Sequence, residues 1–370
     1  MSVAMAISAA NIPISNIHHP TPRNFPPLFR VRKIKNQIFH MRKLASIQRI
    51  RALAPIEGAD AIEKATVLGW QLVVKKGEFK AGDLCVYCEI DSILPDRPEF
   101  EFLKPRGMRI KTIRLRGQIS QGICFPLSVL PEGAPIVEDA DVTEILGVAK
   151  WEMPIPASLS GTVKGGFPGF VPKTDETRVQ VLQPMLDALQ GEPCFIAEKL
   201  DGSSVTYYLR NGDFGVCSRN LELIEDDANT LWKVARELEV EQKLRSLGGN
   251  FALQGEIIGE GINGNKLRLR GQTSRFFNLF DIDRYAYLDF AGYQSTLERL
   301  DLPMVPVLDA NFSLVNDIPA LVAMATRRSV VSPEVWAEGI VVRPLKEQQF
   351  EGERVSFKVI NPEFLLKFGE

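Results

Sequence analysis

PCFIAEKLDGSS, residues 193–204, joins an apolar run to a charged turn. Cys194, Phe195, Ile196 and Ala197 read as a buried strand. That strand delivers Lys199 between two carboxylates, Glu198 and Asp201, followed by Gly202, Ser203 and Ser204. Gly202 permits a tight turn and the close approach of a ligand to the backbone. The two serine hydroxyls can donate hydrogen bonds to a phosphate. A surface turn closing a hairpin has the same composition, so this segment alone leaves both readings open. No G-x-x-x-x-G-K-[ST] loop occurs in the chain, which removes the P-loop as an alternative phosphate cradle.

Outward from this turn, composition narrows the chemistry. The chain has 370 residues, 45% hydrophobic and 24% charged, the profile of an ordinary globular protein large enough for two domains. No apolar run approaches the ~18 residues of a membrane span. The formal net charge is −2, but it is unevenly spread. Between Met1 and Ile56 there is no Asp or Glu and there are nine Lys or Arg, so the remainder is acidic. All three histidines, His18, His19 and His40, fall in that basic stretch. The body of the chain therefore excludes Ser-His-Asp triads, histidine acid–base catalysis and histidine metal sites. The five cysteines, an odd number without dense spacing, point to a reducing compartment. Cys85 and Cys88 make a C-x-x-C, but LCVYCEI reads as a strand, which turns residues three apart to opposite faces. Buried thiols fit that pattern better than zinc.

Residues 1–40, rich in proline and free of acids, read as a disordered basic leader. It is either an organelle-targeting segment or an extension ahead of a domain that starts near Met41. Residues 41–150 look all-β: WQLVVKKG, DLCVYCEI, MRIKTIRLRG and GICFPLSVL are short β-branched or aromatic runs bounded by Gly, Pro and Asp. They suit a small OB-like barrel. Arg109, Lys111, Arg114 and Arg116 cluster there as candidate nucleic-acid contacts, with a solvated edge as the alternative. Residues 151–180 are dense in Gly and Pro and read as a linker that also lies over a site. Residues 181–370 mix strands with helices in no strict βαβ rhythm, which favours α+β. The clearest helix is DDANTLWKVARELEVEQKLRSLGG, capped by Asp226 or Asp227 and ended by Gly248.

EKLDGSS resembles the K-x-D-G motif of the covalent nucleotidyltransferases: DNA ligases, RNA ligases and mRNA capping enzymes. Further elements follow in the family's order. Ser218-Arg219 resembles its short basic element, LQGEIIGEG with Glu256 its third motif, and FFNLFDI its aromatic-Asp element. AEGIVVRP with Glu338 resembles the E-G-x-V motif and VSFKVIN with Lys358 the last one. Most DNA ligases and capping enzymes carry an OB-fold after the transferase domain, for which residues beyond Lys358 leave no room. An OB-like domain ahead of it looks like the nick-sealing RNA ligase family, over roughly residues 41–370. The expected fold is α+β: a small OB-like barrel, then an ATP-grasp-like nucleotidyltransferase domain of antiparallel sheets with flanking helices.

The resemblance implies that ATP leaves AMP on Lys199, that AMP moves to a polynucleotide 5′-phosphate, and that a 3′-hydroxyl then displaces it. It implies catalytic roles for Lys199, Asp201, Glu338 and Lys358, with Asp201 and Glu338 holding Mg²⁺ or Mn²⁺. Glu198, Ser203, Arg219, Glu256, Phe280 and Arg343 would contact the nucleotide, Glu256 at the ribose and Phe280 stacked on adenine. The implied partner is RNA or an RNA-containing nicked duplex, in the cytoplasm, the nucleus or an organelle, with no membrane and no protein partner. Two alternatives stay open: DNA joining, and an inactive OB-fold nucleic-acid-binding protein. The family's last motif usually holds two lysines one residue apart. Alignment through Lys358 puts the other at Ile360 or Ser356, so a neighbour such as Lys367 substitutes or one lysine serves. Glu198 and Asp201 facing the Lys199 ammonium would hold its proton on. Engagement with metal, AMP or backbone is therefore expected of them.

Overall fold

The structure, a computed structural model, describes residues 42–152 and 160–369. The reading of residues 1–40 as a leader lies outside the described residues. No helix among them is long and apolar enough to cross a membrane.

The N-terminal unit is a five-stranded antiparallel sheet. Its spatial order is Trp70–Lys75, Ile62–Val67, Ala45–Pro55, Leu84–Cys88, Ile123–Phe125. The long first strand, ASIQRIRALAP, pairs with two neighbours at once, across a register shift near Ile50–Ala52. It was not anticipated, because its arginines mask the apolar alternation. MRIKTIRLRG is not one strand: only Ile113–Leu115 pairs, in a hairpin with Gln118–Ser120. Cys85 and Cys88 are both buried thiols, and Cys85 Sγ lies 3.3 Å from Cys124 Sγ. The barrel core does not end with the barrel: Ile360, Phe364 and Leu365 of the C-terminal segment belong to it.

The catalytic unit is built on two sheets. One has seven strands, at whose centre Ser203–Arg210, Phe251–Gly259 and Gln272–Asp281 lie side by side. Its outer face carries Val205, Tyr207, Leu253 and Ile257 against helices Thr230–Glu237, Val240–Ser246 and Phe290–Arg299. The other has five strands, with Pro193–Lys199 between Gly339–Pro344 and Val307–Ser313. Its outer face packs Ile196, Ile340 and Val359 against helix Ile318–Ala325.

The long helix foreseen over residues 226–248 is two helices. Glu239 between them adopts φ 53°. Asn229 caps the first, accepting from Leu231 N and Trp232 N, while Asp226 accepts from Ala228 N in the preceding turn. Gly259, Gly261 and Gly264 have the G-x-G-x-x-G spacing after a strand. The chain runs from there through a loop into strand Gln272–Asp281 without a helix, so no dinucleotide-binding turn forms.

The segment 160–180 lies against the catalytic unit. Pro172 O accepts from Gln254 Nε2, Thr174 Oγ1 and Ser204 Oγ are 2.9 Å apart, and Glu176 pairs with Arg343. Arg178 reaches back to the barrel's Asp91, which also holds Arg109.

Candidate active site

Alternation along each strand decides what the site contains, because successive side chains point to opposite faces and directly paired residues share a face. On strand Pro193–Lys199, Phe195, Ala197 and Lys199 point inward, opposite Arg343, Val341 and Gly339. Lys358 pairs with Val341 and Arg178 with Lys358, so both join the same face. In the seven-stranded sheet the inner face carries Ser204 opposite Glu256, Thr206 opposite Gln254, and Gln254 opposite Asn278. The two inner faces meet around Lys199.

Lys199 Nζ lies 2.7 Å from both carboxylate oxygens of Glu338. Burial works against its charge. Glu338, Glu256, the hydrogen bond Lys199 donates to Glu338 and then Asp201 together outweigh that, so the lysine is held above its ordinary value. Glu256 is the mirror case. Burial, then the neighbouring Glu338 and Asp201, push its carboxyl up to about 8, against the pull of Lys199 and Arg219. Lysine and glutamates thus form one coupled cluster. Asp201 does not rest on Lys199 but pairs with Lys266 at 3.0 Å, both nearly buried. Gly202 is required here: a Cβ would stand 2.2 Å from Ile257 O.

Several expected contacts are redirected. Glu198 points to the outer face, where Ser329 Oγ and Val330 N donate to it. It takes the backbone option instead of facing Lys199 or the site. Ser203 pairs with Ile257 on the outer face, so the hydroxyl beside Glu256 is that of Ser204. Phe280 lies inward but closed off, 1% exposed, with Tyr285 and Tyr287 edge-on to its ring. No face of it is open to a base. Phe277, the extra residue at the register shift beside Gln254–Gly255, is only partly buried, and no residue pattern in FFNLFDI signals a bulge there.

Arg343 is 4% exposed and fully engaged, donating to Ser356 Oγ, Phe277 O and Glu176. It is a structural clamp, and it fills the position where Ser356 stands in place of a second lysine. Ile360, the other candidate position, is turned into the barrel core. Arg219 is exposed and paired with Asp175. Of the four barrel cations, Arg109 is 6% exposed, bound to Asp91 and stacked on Trp151, which removes it from any nucleic-acid surface. Arg114 pairs with Glu363 of the C-terminal helix. Lys111 and Arg116 remain unpaired among the described residues. Asn263, which donates to Gly202 O, and Lys266 are additions that no motif in the sequence announced.

Among the described residues no three Asp, Glu, Cys or His side chains are close enough to enclose a metal by themselves. The carboxylates beside Lys199 nonetheless form a hard-oxygen donor set. Mg²⁺ and Mn²⁺ accept one or two carboxylates and complete their shell with water and phosphate oxygens, so the residues fit such an ion.

Comparison with known proteins gives consistent results. An OB-fold domain family matches residues 44–127 and the RNA ligase family matches residues 192–360. Solved structures of Naegleria gruberi RNA ligase superpose over most of both chains. A lysine mutant with ATP and Mn is 42% identical with a TM-score of 0.82, covering 87% of this chain and 98% of that one. A glutamate mutant with AMP and Mn matches at 42% identity and TM-score 0.82, covering 88% and 98%. The same enzyme with pyrophosphate matches at 42% and 0.81, again covering 88% and 98%. No match was found among curated proteins.

Proposed function

Because this chain is an enzyme of the ATP-dependent RNA ligase family, we propose that it joins 3′-hydroxyl and 5′-phosphate ends of RNA, at nicks, through AMP carried on Lys199. The observation that carries the reading is the Lys199 amine held between Glu338, Glu256 and Asp201 where two sheets meet. A lysine at that junction is shielded from bulk water yet open to a ligand between the sheets. The relatives' complexes with ATP, AMP, Mn and pyrophosphate support the same chemistry.

In the first step Lys199 Nζ attacks the α-phosphorus of ATP. An N–P bond forms, the P–O bond to the β-phosphate breaks, and pyrophosphate leaves. The amine must first lose its proton, and the resting cluster opposes this. Glu338 and Asp201 are assigned as the residues that would hold a divalent cation. When bound, such an ion supplies positive charge that offsets the carboxylates and the phosphates. With such an ion held there, Glu338 would compensate the ammonium less and the Lys199 proton would be easier to remove. Lys358 and Arg219 offset charge on the transferred phosphate. Glu256 and Ser204 present polar groups to the sugar and phosphate side, and Phe277, only partly buried, is the aromatic side chain assigned to a purine. The AMP then passes to the RNA 5′-phosphate, and the 3′-hydroxyl displaces it.

The test is incubation with α-labelled ATP and Mg²⁺ or Mn²⁺, followed by sealing of a nicked RNA duplex. Label should appear on the protein, stable to base and labile to acid, and be absent from Lys199→Ala. Nicks with deoxyribose in place of ribose at the 3′-hydroxyl end should seal poorly. No label with either metal would leave an OB-fold binding protein as the better account, and indifference to the sugar would leave a DNA ligase.

A further inference from the structure

The loop between strands Phe251–Gly259 and Gln272–Asp281 leaves the active site and forms one wall of a second feature. Asn263, Asn265, Lys266 and Arg268 face Lys367 and Phe368 of helix Pro362–Phe368 across a cavity of about 420 Å³. Lys111 of the barrel reaches the end of the same helix: a Cβ added at Gly369 would stand 3.7 Å from its Nζ. Cations from three separate elements therefore converge. The acids nearby are committed elsewhere, Asp201 to Lys266 and Glu363 to Arg114. Among the described residues Lys111, Arg268 and Lys367 have no ion-pair partner.

Uncompensated like charges gathered in one concavity repel one another, and a bound polyanion relieves that repulsion. The lining residues are amides and cations, with a single ring, Phe368. The groove is also continuous with the chemistry. Lys266 binds Asp201, two residues from the nucleophile, and Asn263 donates to Gly202 O in the same turn. Lys266 in turn rests 5.3 Å and 5.5 Å from the rings of Phe364 and Phe368.

From this convergence we infer that the groove between the 263–268 loop, the C-terminal helix and Lys111 holds the sugar–phosphate backbone of the polynucleotide being joined. It leads that strand away from the Lys199 turn. The inference rests on the RNA-joining reading above. Lys111, Arg268 and Lys367 contact phosphates, and Lys266 links the groove to the nucleophile turn without being free to bind.

The experiment measures binding of a 5′-phosphorylated RNA oligonucleotide, without ATP, as a function of salt. Each phosphate contact on a single strand contributes roughly 0.7 to the slope of log K against log salt. The combined variant Lys111→Ala, Arg268→Ala, Lys367→Ala should lose about 2 from that slope. It should bind about 100-fold more weakly at 0.1 M salt and converge with the wild type near 1 M. A control variant, Lys233→Ala, Lys243→Ala, Arg299→Ala, removes three cations from the helices on the outer sheet face. It should keep the wild-type slope. Thermal midpoints accompany both variants, and if the groove variant melts early, the three single substitutions are read for a slope change of roughly 0.7 each. An unchanged slope in the groove variant, or an equal loss in the control, overturns the inference. Failure of the wild type to take label from ATP would sink the ligase reading instead, and it is measured without RNA.

Discussion

Glu256→Gln should stabilise the nucleotide-free protein while abolishing its use. Glu256 is moved from an ordinary 4.5 to about 8, chiefly by burial and then by Glu338 and Asp201. A carboxyl whose folded value is raised favours the folded state below its unfolded value. That contribution is lost as pH climbs from about 4.5 to about 8, because the folded state holds a proton the unfolded chain has released. At 1.36 kcal/mol per pH unit, the difference reaches about 4 kcal/mol at pH 7.5 if it is fully expressed. Glutamine carries no proton to lose and removes this dependence. The attraction to Lys199 is already contained in that folded value and takes nothing further from the gain. Urea unfolding in EDTA, without nucleotide, should show the variant with the higher midpoint at pH 7.5 and an unchanged slope. The two proteins should draw together as pH falls toward 4.5. A variant no more stable than wild type at pH 7.5, or a gap that does not change with pH, would refute the coupled cluster around Lys199.

Three further outcomes follow from the same geometry. The rate of label transfer to Lys199 at fixed metal and ATP should rise with pH across the neutral range, because the carboxylates hold the lysine protonated; a flat profile in single-turnover assays would contradict this. Gly202→Ala brings a Cβ to 2.2 Å from Ile257 O and should cut label transfer at least 100-fold by moving the turn, at a stability cost of about 1–3 kcal/mol in denaturant melts. Ile360→Lys restores a paired-lysine spelling but drives an ammonium into the barrel core, so it should cost on the order of 3 kcal/mol or more and raise no adenylylation.

The architecture was readable where the pattern is strong. The barrel followed by antiparallel sheets, and Lys199 at the end of an apolar strand, come directly from runs such as FIAEK, FALQGEII and GIVVRP. The errors have common causes. Glu198 and Ser203 were assigned to the site by nearness to Lys199 in sequence. A strand's two-residue period turns both away, while Ser204 and Glu256, 52 positions apart, oppose each other. Phe280 was assigned by resemblance, and the bulge that sets Phe277 apart, shifting the frame by one residue, leaves no mark in FFNLFDI. Arg109 looked like a surface cation because its partners, Asp91 and Trp151, are distant in the chain and invisible to local reading. Asn263 and Lys266 belong to no motif and become evident only when the loop folds back on Gly202 and Asp201.

The barrel is more than an appended binding module. Gly69 N donates to Gln180 O, and a Cβ at Gly69 would collide with Ile318, so the barrel backbone touches the catalytic unit without a side chain between. Asp91 holds Arg178, whose strand lies beside Lys358, so a barrel carboxylate buttresses the strand that carries this lysine. Ile360, Phe364 and Leu365 finish the barrel core from the chain that leaves that strand. The residue after Glu338 pairs with Ile360, and Asn361 N donates to Glu338 O. The barrel core thus lies within two residues of the carboxylate that grips Lys199. Ile360 makes that connection: buried in the barrel core, it fastens the Glu338 turn to the core that Phe364 and Leu365 complete.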